Sequence, residues 1–231
     1  MTNIGAILRN ENLLEITDKG LDMLEPYRVK RAVIMAAGFG SRMVPVTLDR
    51  PKPMVKVNGV RIIDTLLDAL VSVGIKDITL VRGYKKEKFD EITDKYPFIK
   101  FVDNDVYDKT NNISSAMAAL EHIDECYLCE ADLYISNPDI ISKYQYSSNI
   151  LGSFSIETDD WSYKLDNGYI TDYKKVIRFV LIIMVYHIGI KMIVKNYEMI
   201  LNRCMKRNKM VRIISGNLYH WYYAKKDIML K

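Results

Sequence analysis

From residue 29 onward, short apolar runs alternate with segments in which apolar residues recur every three or four positions. The runs are typical of buried β-strands, and the recurring pattern is typical of amphipathic helices. The predicted strands cover residues 29–35, 77–81, 99–102 and 126–131. The predicted helices cover residues 60–71, 85–96 and 114–122. Strands alternating with helices imply right-handed crossovers, so we expect an α/β fold with a mainly parallel sheet and helices on both faces.

The carboxyl end of this predicted sheet carries the first candidate site, because ligands of such sheets bind where the strands end. The first strand runs into a loop with Gly38 and Gly40, and the fourth strand ends at Asp132. Glycines let the backbone approach a ligand, and their N–H groups bind anionic oxygens. Arg42 adds a planar cationic fork, and Lys52, between two prolines, adds a point-like charge. The loop therefore predicts a phosphate-binding site.

The glycine loop matches neither of two common phosphate-binding motifs. Gly-Lys-Ser/Thr is absent, and Met43 stands where G-x-G-x-x-G requires its third glycine. The full string from Ala36 to Thr47 is Ala-Ala-Gly-x-Gly-x-Arg-x-x-Pro-x-Thr, and Pro51-Lys52-Pro53 follows it. This string resembles the signature of nucleotidyltransferases of the sugar-phosphate pyrophosphorylase type, whose sheet is Rossmann-like.

The resemblance implies that a phosphate monoester attacks the α-phosphate of a nucleoside triphosphate and releases pyrophosphate. Charge develops on the phosphate oxygens, so such catalysis rests on positioning and cationic stabilisation. At the matching positions, Arg42 would hold the triphosphate, Lys52 would stabilise the α-phosphate, and Asp132 would ligate Mg²⁺. The loop residues expected to bind nucleotide are Ala37, Gly38, Gly40 and Ser41. The alternatives are solvated surface charges for the two cations and a helix cap or loop residue for Asp132.

Three further segments, residues 57–59, 81–87 and 110–115, resemble the bacterial CTP:phosphocholine cytidylyltransferases. The resemblance implies that Asn112 and Ser114 lie on the side of the nucleotide base. It also adds Gly83 and Tyr84 to the nucleotide-binding residues. As an alternative, the polar side chains of Asn112 and Ser114 cap the helix that follows.

The predicted acceptor side is an acidic segment with aromatic residues, residues 156–163. Aromatic faces and nearby carboxylates bind a quaternary ammonium group, and Glu157, Trp161 and Tyr163 supply both. The family resemblance thus implies CTP and phosphocholine as substrates. An ordinary surface loop with a core-packing tryptophan is the alternative.

Residues 176–231 form an atypical tail. They hold 11 Lys and Arg against 2 Asp and Glu, whereas residues 1–175 hold 22 against 27. The resemblance ends after Lys175, and the Trp-Asp pair expected to supply a second metal ligand does not follow. The apolar run of 12 residues at 179–190 is shorter than the roughly 20 of a spanning helix, so we expect no membrane span. The scattered basic residues match no nucleic-acid-binding module. We therefore expect a tail translated from a shifted reading frame.

Residues 1–28 are predicted to be a separate N-terminal segment. Thr17 or Asp18 is expected to cap a short helix that ends before Pro26. The segment resembles the end of a winged-helix module, and a linker helix is the alternative. It holds no complete helix-turn-helix, so we assign no nucleic-acid partner.

Cys126 and Cys129 form a C-x-x-C pair without a second pair of ligands, so we expect ordinary strand residues rather than a zinc or redox site. The low cysteine content and the lack of a secretory signal favour the cytoplasm.

The combined prediction is a nucleotidyltransferase domain over residues 29–175 that transfers CMP from CTP to phosphocholine with Mg²⁺, giving CDP-choline and pyrophosphate. A sugar-1-phosphate nucleotidyltransferase that makes an NDP-sugar is the first alternative. A catalytically impaired nucleotide-binding protein, lacking the C-terminal part of the site, is the second. The sequence does not determine the oligomeric state.

Overall fold

The computed structural model describes residues 6–10, 13–110, 112–147, 149–167 and 169–188. The side chains of residues 8–10, 13, 112, 150–165, 169–170 and 172–188 lie outside that description. The helices are α1 (Asp18–Leu24), α2 (Ile62–Ser72) and α3 (Asn112–Ala118). The strands are β1 (Ile7–Asn10), β2 (Leu13–Ile16), β3 (Arg31–Ala36), β4 (Lys56–Val57), β5 (Val60–Arg61), β6 (Asp77–Arg82), β7 (Lys100–Asp103), β8 (Cys126–Glu130), β9 (Asn149–Asp166) and β10 (Tyr169–Ile188). Short 3₁₀ segments cover Glu25–Tyr27, Ser41–Met43, Lys52–Met54, Lys86–Ile92, Leu120–His122 and Pro138–Ile140.

The main sheet has six strands in the order β7-β6-β3-β8-β10-β9. The four strands β7, β6, β3 and β8 are parallel, which confirms the predicted α/β class. β10 runs antiparallel to β8 and β9. Because all four parallel strands end at the same edge of the sheet, the loops after β3, β6 and β8 are neighbours.

Helices cover both faces of the parallel strands. One face packs against α2, whose Leu66 and Leu70 lie in a single buried core with Ile34 of β3 and Leu80 of β6. Strand side chains alternate between faces, so the buried Val33 belongs to the opposite face, where α3 contacts β3 and β6.

Two predicted helices differ in the structure. The segment predicted as a helix over residues 85–96 is instead a 3₁₀ helix, Lys86–Ile92, which buries Phe89 and Ile92. Lys85 has a φ of 46°, outside the helical region, so the helix begins one residue later than predicted. The segment predicted over residues 60–71 begins as strand β5. Asn58 and Gly59 both have positive φ, 50° and 84°, and close a tight hairpin with β4 before α2 starts.

The N-terminal segment forms a β1–β2 hairpin followed by α1. The hydroxyl of Thr17 accepts a hydrogen bond from the N–H of Gly20 at 3.1 Å, which confirms the predicted cap. α1 ends at Leu24, ahead of Pro26, as expected. The relation to a winged-helix module stays a prediction.

The antiparallel hairpin of β9 and β10 turns at Asn167, which has a positive φ of 49°. The predicted boundary at residue 175 falls inside β10, and the end of β10 pairs with β8 from Val185 to Ile188. The origin of the tail in a shifted frame stays a prediction, and residues 189–231 lie outside the described residues. No helix in the described part of the chain is long and apolar enough to cross a membrane.

Candidate active site

The glycine loop leaves the buried end of β3 and folds back on itself. Gly40 has a φ of 66°, and a side chain there would place its Cβ 3.1 Å from the Cβ of Lys52. The hydroxyl of Thr47, which is fully buried, donates to the carbonyl of Gly40 at 3.1 Å. A Cβ at Gly38 would meet no atom within 4 Å. The loop is therefore closed on the Lys52 side and open to a ligand at Gly38.

Lys52 and Asp132 come together at the carboxyl end of the sheet. The Lys52 Nζ lies 2.6 Å from Asp132 Oδ2, although the residues are 80 positions apart. The backbone around Lys52 is anchored because Pro51, Pro53 and Met54 are buried. The two side chains remain 29% and 40% exposed, so both charged groups are accessible to a substrate.

Glu130 adds a second carboxylate beside this pair. Burial and the charge of Asp132 raise the pKa of Glu130 to about 7, and the charge of Lys52 opposes the shift. Sequence reasoning missed Glu130 as a site residue. The available signal was its spacing from Asp132, because residues two apart at the end of a strand share one side of the sheet.

Arg42 lies on the exposed surface of the glycine loop, in the 3₁₀ segment Ser41–Met43. Among the residues that the structure describes, its guanidinium makes no ion pair. Ser41 is also exposed, and Ala37 is buried at the start of the loop. The exposed guanidinium of Arg42 is thus available to an anionic ligand.

Gly83 and Tyr84 follow β6 and contact the glycine loop. A Cβ on Gly83 would lie 2.7 Å from the ring of Tyr107 and 2.9 Å from the Cβ of Ala37, so this position requires glycine for close packing. The N–H of Tyr84 donates to the carbonyl of Ala37 at 3.0 Å. The sequence predicts that both residues bind nucleotide. The structure shows that they also hold the start of the loop in place.

Ser114 lies at the start of α3 and is 3% exposed. Its hydroxyl accepts a hydrogen bond from Asn104 Nδ2 at 2.8 Å, and the same amide donates to Ser115 at 3.0 Å. Ser114 is therefore joined to the end of β7 by a buried network. The predicted side-chain roles of Asn112, Glu157, Trp161 and Tyr163 fall on side chains outside the described residues.

Cys126 and Cys129 are both buried in β8 with free thiols. Residues three apart on a strand point to opposite faces, so this pair cannot chelate one ion. Burial raises the pKa of Cys126 to about 12 and also raises the pKa of Cys129, which keeps both thiols protonated and poorly nucleophilic. The prediction of ordinary strand residues agrees with this placement.

The carboxylate chemistry of the site suits Mg²⁺. This ion commonly binds one or two protein carboxylates and takes its remaining ligands from water and substrate phosphates. Asp132 offers a hard, partly exposed oxygen, and Glu130 lies beside it. The described residues contain no cluster of three or more His, Cys, Asp or Glu side chains able to hold a metal alone. The residues present therefore fit a metal that substrate phosphates help to bind.

Residues 32–145 match the family of the MobA-like NTP transferase domain. The 2-aminoethylphosphonate cytidylyltransferase of Lancefieldella rimae is 42% identical over 59% of this chain and 57% of its own length. The CTP:phosphoglutamine cytidylyltransferase of Campylobacter jejuni is 41% identical over 48% of this chain and 44% of its own. The chain thus spans about half the length of these curated relatives.

The solved structure of a CTP:phosphocholine cytidylyltransferase from Streptococcus pneumoniae superposes on the fold with a TM-score of 0.75. The two are 25% identical, and the match covers 88% of this chain and 89% of that one. Residues 32–145 thus match the MobA-like NTP transferase domain, and this match, with the parallel sheet and its glycine loop, supports assignment to the sugar-phosphate nucleotidyltransferase superfamily.

Proposed function

We propose that this chain transfers CMP from CTP to a small phosphorylated acceptor, with phosphocholine as the first candidate, and releases pyrophosphate. The observation that carries the proposal is the contact between Lys52 and Asp132 beside an open glycine loop. A cation and a carboxylate at this position suit a reaction in which charge develops on phosphate oxygens.

In this reaction the glycine loop binds the triphosphate. The amides near Gly38 are open to phosphate oxygens, and the exposed Arg42 adds a fork of N–H donors. Lys52 stabilises the negative charge on the α-phosphate as the acceptor oxygen attacks. Its Nζ is held by Asp132, and its backbone is fixed by buried neighbours, so little reorganisation is needed.

Asp132 is the residue that would hold Mg²⁺. When bound, the ion would neutralise charge on the phosphate oxygens and help to align them. Glu130 increases the negative charge beside Asp132 when it is ionised, and the raised pKa of Glu130 makes that contribution depend on pH near neutrality.

The acceptor we propose combines an anionic phosphorus group with a cationic nitrogen. Phosphocholine fits the aromatic and acidic composition of residues 156–163, with Glu157, Trp161 and Tyr163 as its binding residues. The 42% identity to a 2-aminoethylphosphonate cytidylyltransferase favours 2-aminoethylphosphonate as a second candidate. In both compounds two carbons separate the nitrogen from the phosphorus-bearing group, so one site could bind either.

The deciding experiment is pyrophosphate release by the purified full chain with Mg²⁺. CTP is paired in turn with phosphocholine and with 2-aminoethylphosphonate, and UTP and dTTP are each paired with glucose 1-phosphate. We expect turnover with CTP and one of the two amine-bearing acceptors. Turnover only with a sugar 1-phosphate would move the function to NDP-sugar synthesis, and CTP binding without any turnover would indicate an impaired enzyme.

A further inference from the structure

The side chain and backbone of Tyr84 bind the glycine loop on both sides of Gly40. At the start of the loop, the N–H of Tyr84 donates to Ala37, and its ring packs edge-on against Phe39 with centroids 4.5 Å apart. At the far end of the loop, its hydroxyl donates to the carbonyl of Thr47 at 2.9 Å, and the carbonyl of Leu48 lies 3.2 Å away. Tyr84 therefore joins both ends of the loop.

Within the described part of the chain, few other contacts hold this far end of the loop. Val44, Val46 and Leu48 are 48%, 49% and 55% exposed, so hydrophobic burial contributes little to their position. The buried side chain in this stretch is Thr47, which bonds to Gly40 within the same loop. The hydroxyl of Tyr84 is thus a main connection between residues 44–48 and the sheet.

We propose that Tyr84 is a positioning residue that fixes the phosphate-binding loop for the triphosphate, and that its hydroxyl does not contact the nucleotide. The inference rests on the proposed nucleotidyl transfer. The geometry supports it because the single proton of the hydroxyl is already directed at backbone carbonyls of the loop. Tyr84 then acts on the ligand through the loop that carries Arg42.

This role predicts selectivity between nucleotides. In the proposed reaction the loop binds the β- and γ-phosphates, which CTP has and CMP lacks. Loosening the loop should therefore weaken the binding of CTP and leave the binding of CMP nearly unchanged. Tyr84→Phe keeps the ring packed on Phe39 and removes only the hydroxyl. Loss of one such hydrogen bond corresponds to roughly a three- to tenfold increase in the dissociation constant of CTP.

The test compares the full chain with Tyr84→Phe and with a matched control, Tyr96→Phe. The hydroxyl of Tyr96 donates to Asp68 at 2.8 Å on α2, away from the loop. Calorimetry measures the dissociation constants of CTP and CMP for each protein, and thermal melting measures the stability of each protein. We expect Tyr84→Phe to raise the dissociation constant of CTP three- to tenfold and that of CMP less than twofold. The melting temperature of Tyr84→Phe should fall no more than that of Tyr96→Phe. Equal weakening of both nucleotides, or of neither, would overturn the inference.

Limited trypsinolysis tests the same claim without nucleotide. Arg42 is exposed in the loop, and the next two basic residues, Arg50 and Lys52, are each followed by proline, which blocks tryptic cleavage. Cleavage after Arg42 should be faster in Tyr84→Phe than in Tyr96→Phe, and equal rates would contradict the positioning role. If the wild-type chain binds CTP without turnover, the proposed function fails while the role of Tyr84 stands. If it binds no nucleoside triphosphate, both fail.

Discussion

Replacing Lys52 by Met should separate catalysis from stability. The substitution keeps an unbranched side chain of similar length and removes the charge that lies 2.6 Å from Asp132. The two side chains are 29% and 40% exposed, so water screens the pair and its contribution to folding is about 0–1 kcal/mol. For a chain of this size, that corresponds to a fall in melting temperature of about 4 °C or less.

The expected effect on the reaction is much larger. Loss of a preorganised group that stabilises developing charge commonly lowers kcat by about 10²–10³-fold, or roughly 3–4 kcal/mol of transition-state stabilisation. Because Arg42 and the loop amides remain, the affinity for CTP should change by less than about tenfold. A large loss in kcat with a small loss of stability is the signature of a catalytic cation.

The assay is initial-rate pyrophosphate release at saturating CTP and acceptor, together with thermal melting. Lys95→Met is the control because Lys95 forms a 2.8 Å ion pair with Asp68 away from the site, although this pair is more exposed, at 51% and 52%. The control should retain kcat within about twofold. If Lys52→Met loses no more activity than Lys95→Met in an active preparation, the assigned role of Lys52 is wrong.

The remaining predictions concern stability, packing and the tail. The pKa of Glu130 is raised from 4.5 to about 7 in the folded protein, so between these pH values the folded state binds a proton that the unfolded state has lost. The free energy of unfolding should therefore fall as pH rises from about 4.5 to 7, by at most about 3 kcal/mol. In urea unfolding, the free energy of unfolding should differ less between pH 5 and pH 8 for Glu130→Gln than for the wild type. Equal differences would show that Glu130 is not the cause of the pH dependence. Gly83→Ala should lower the free energy of unfolding by about 1–3 kcal/mol, because the added Cβ meets Tyr107 and Ala37. At Gly38 an added Cβ meets no atom within 4 Å, so Gly38→Ala should leave the melting temperature unchanged and weaken CTP binding. Translating the source DNA beyond codon 175 in the other two frames should restore a sequence with a Trp-Asp pair, and its absence from both frames would refute the shifted-frame interpretation.

Local patterns in the sequence were sufficient to predict the four parallel strands and their succession along the chain, but not their order in the sheet. The signals that predict them lie within a few residues, as with the apolar run of β3 and the Thr17 cap on α1. The two misassigned segments show the limit of such patterns. Periodicity alone does not separate a 3₁₀ helix from an α-helix at residues 85–96, nor does it detect the short hairpin that precedes α2.

The sequence by itself determined which residues are candidates for phosphate chemistry, because the glycine loop, Lys52 and the aspartate after a strand are local features. Only the tertiary structure decided how they meet. The Lys52–Asp132 contact joins residues 80 positions apart, and the bond from Tyr84 to Thr47 joins residues 37 apart. The raised pKa of Glu130 likewise depends on burial and on the charges around it. These properties arise from distances between segments and from the exclusion of water, which are set by chain packing and not by neighbouring residues in the sequence.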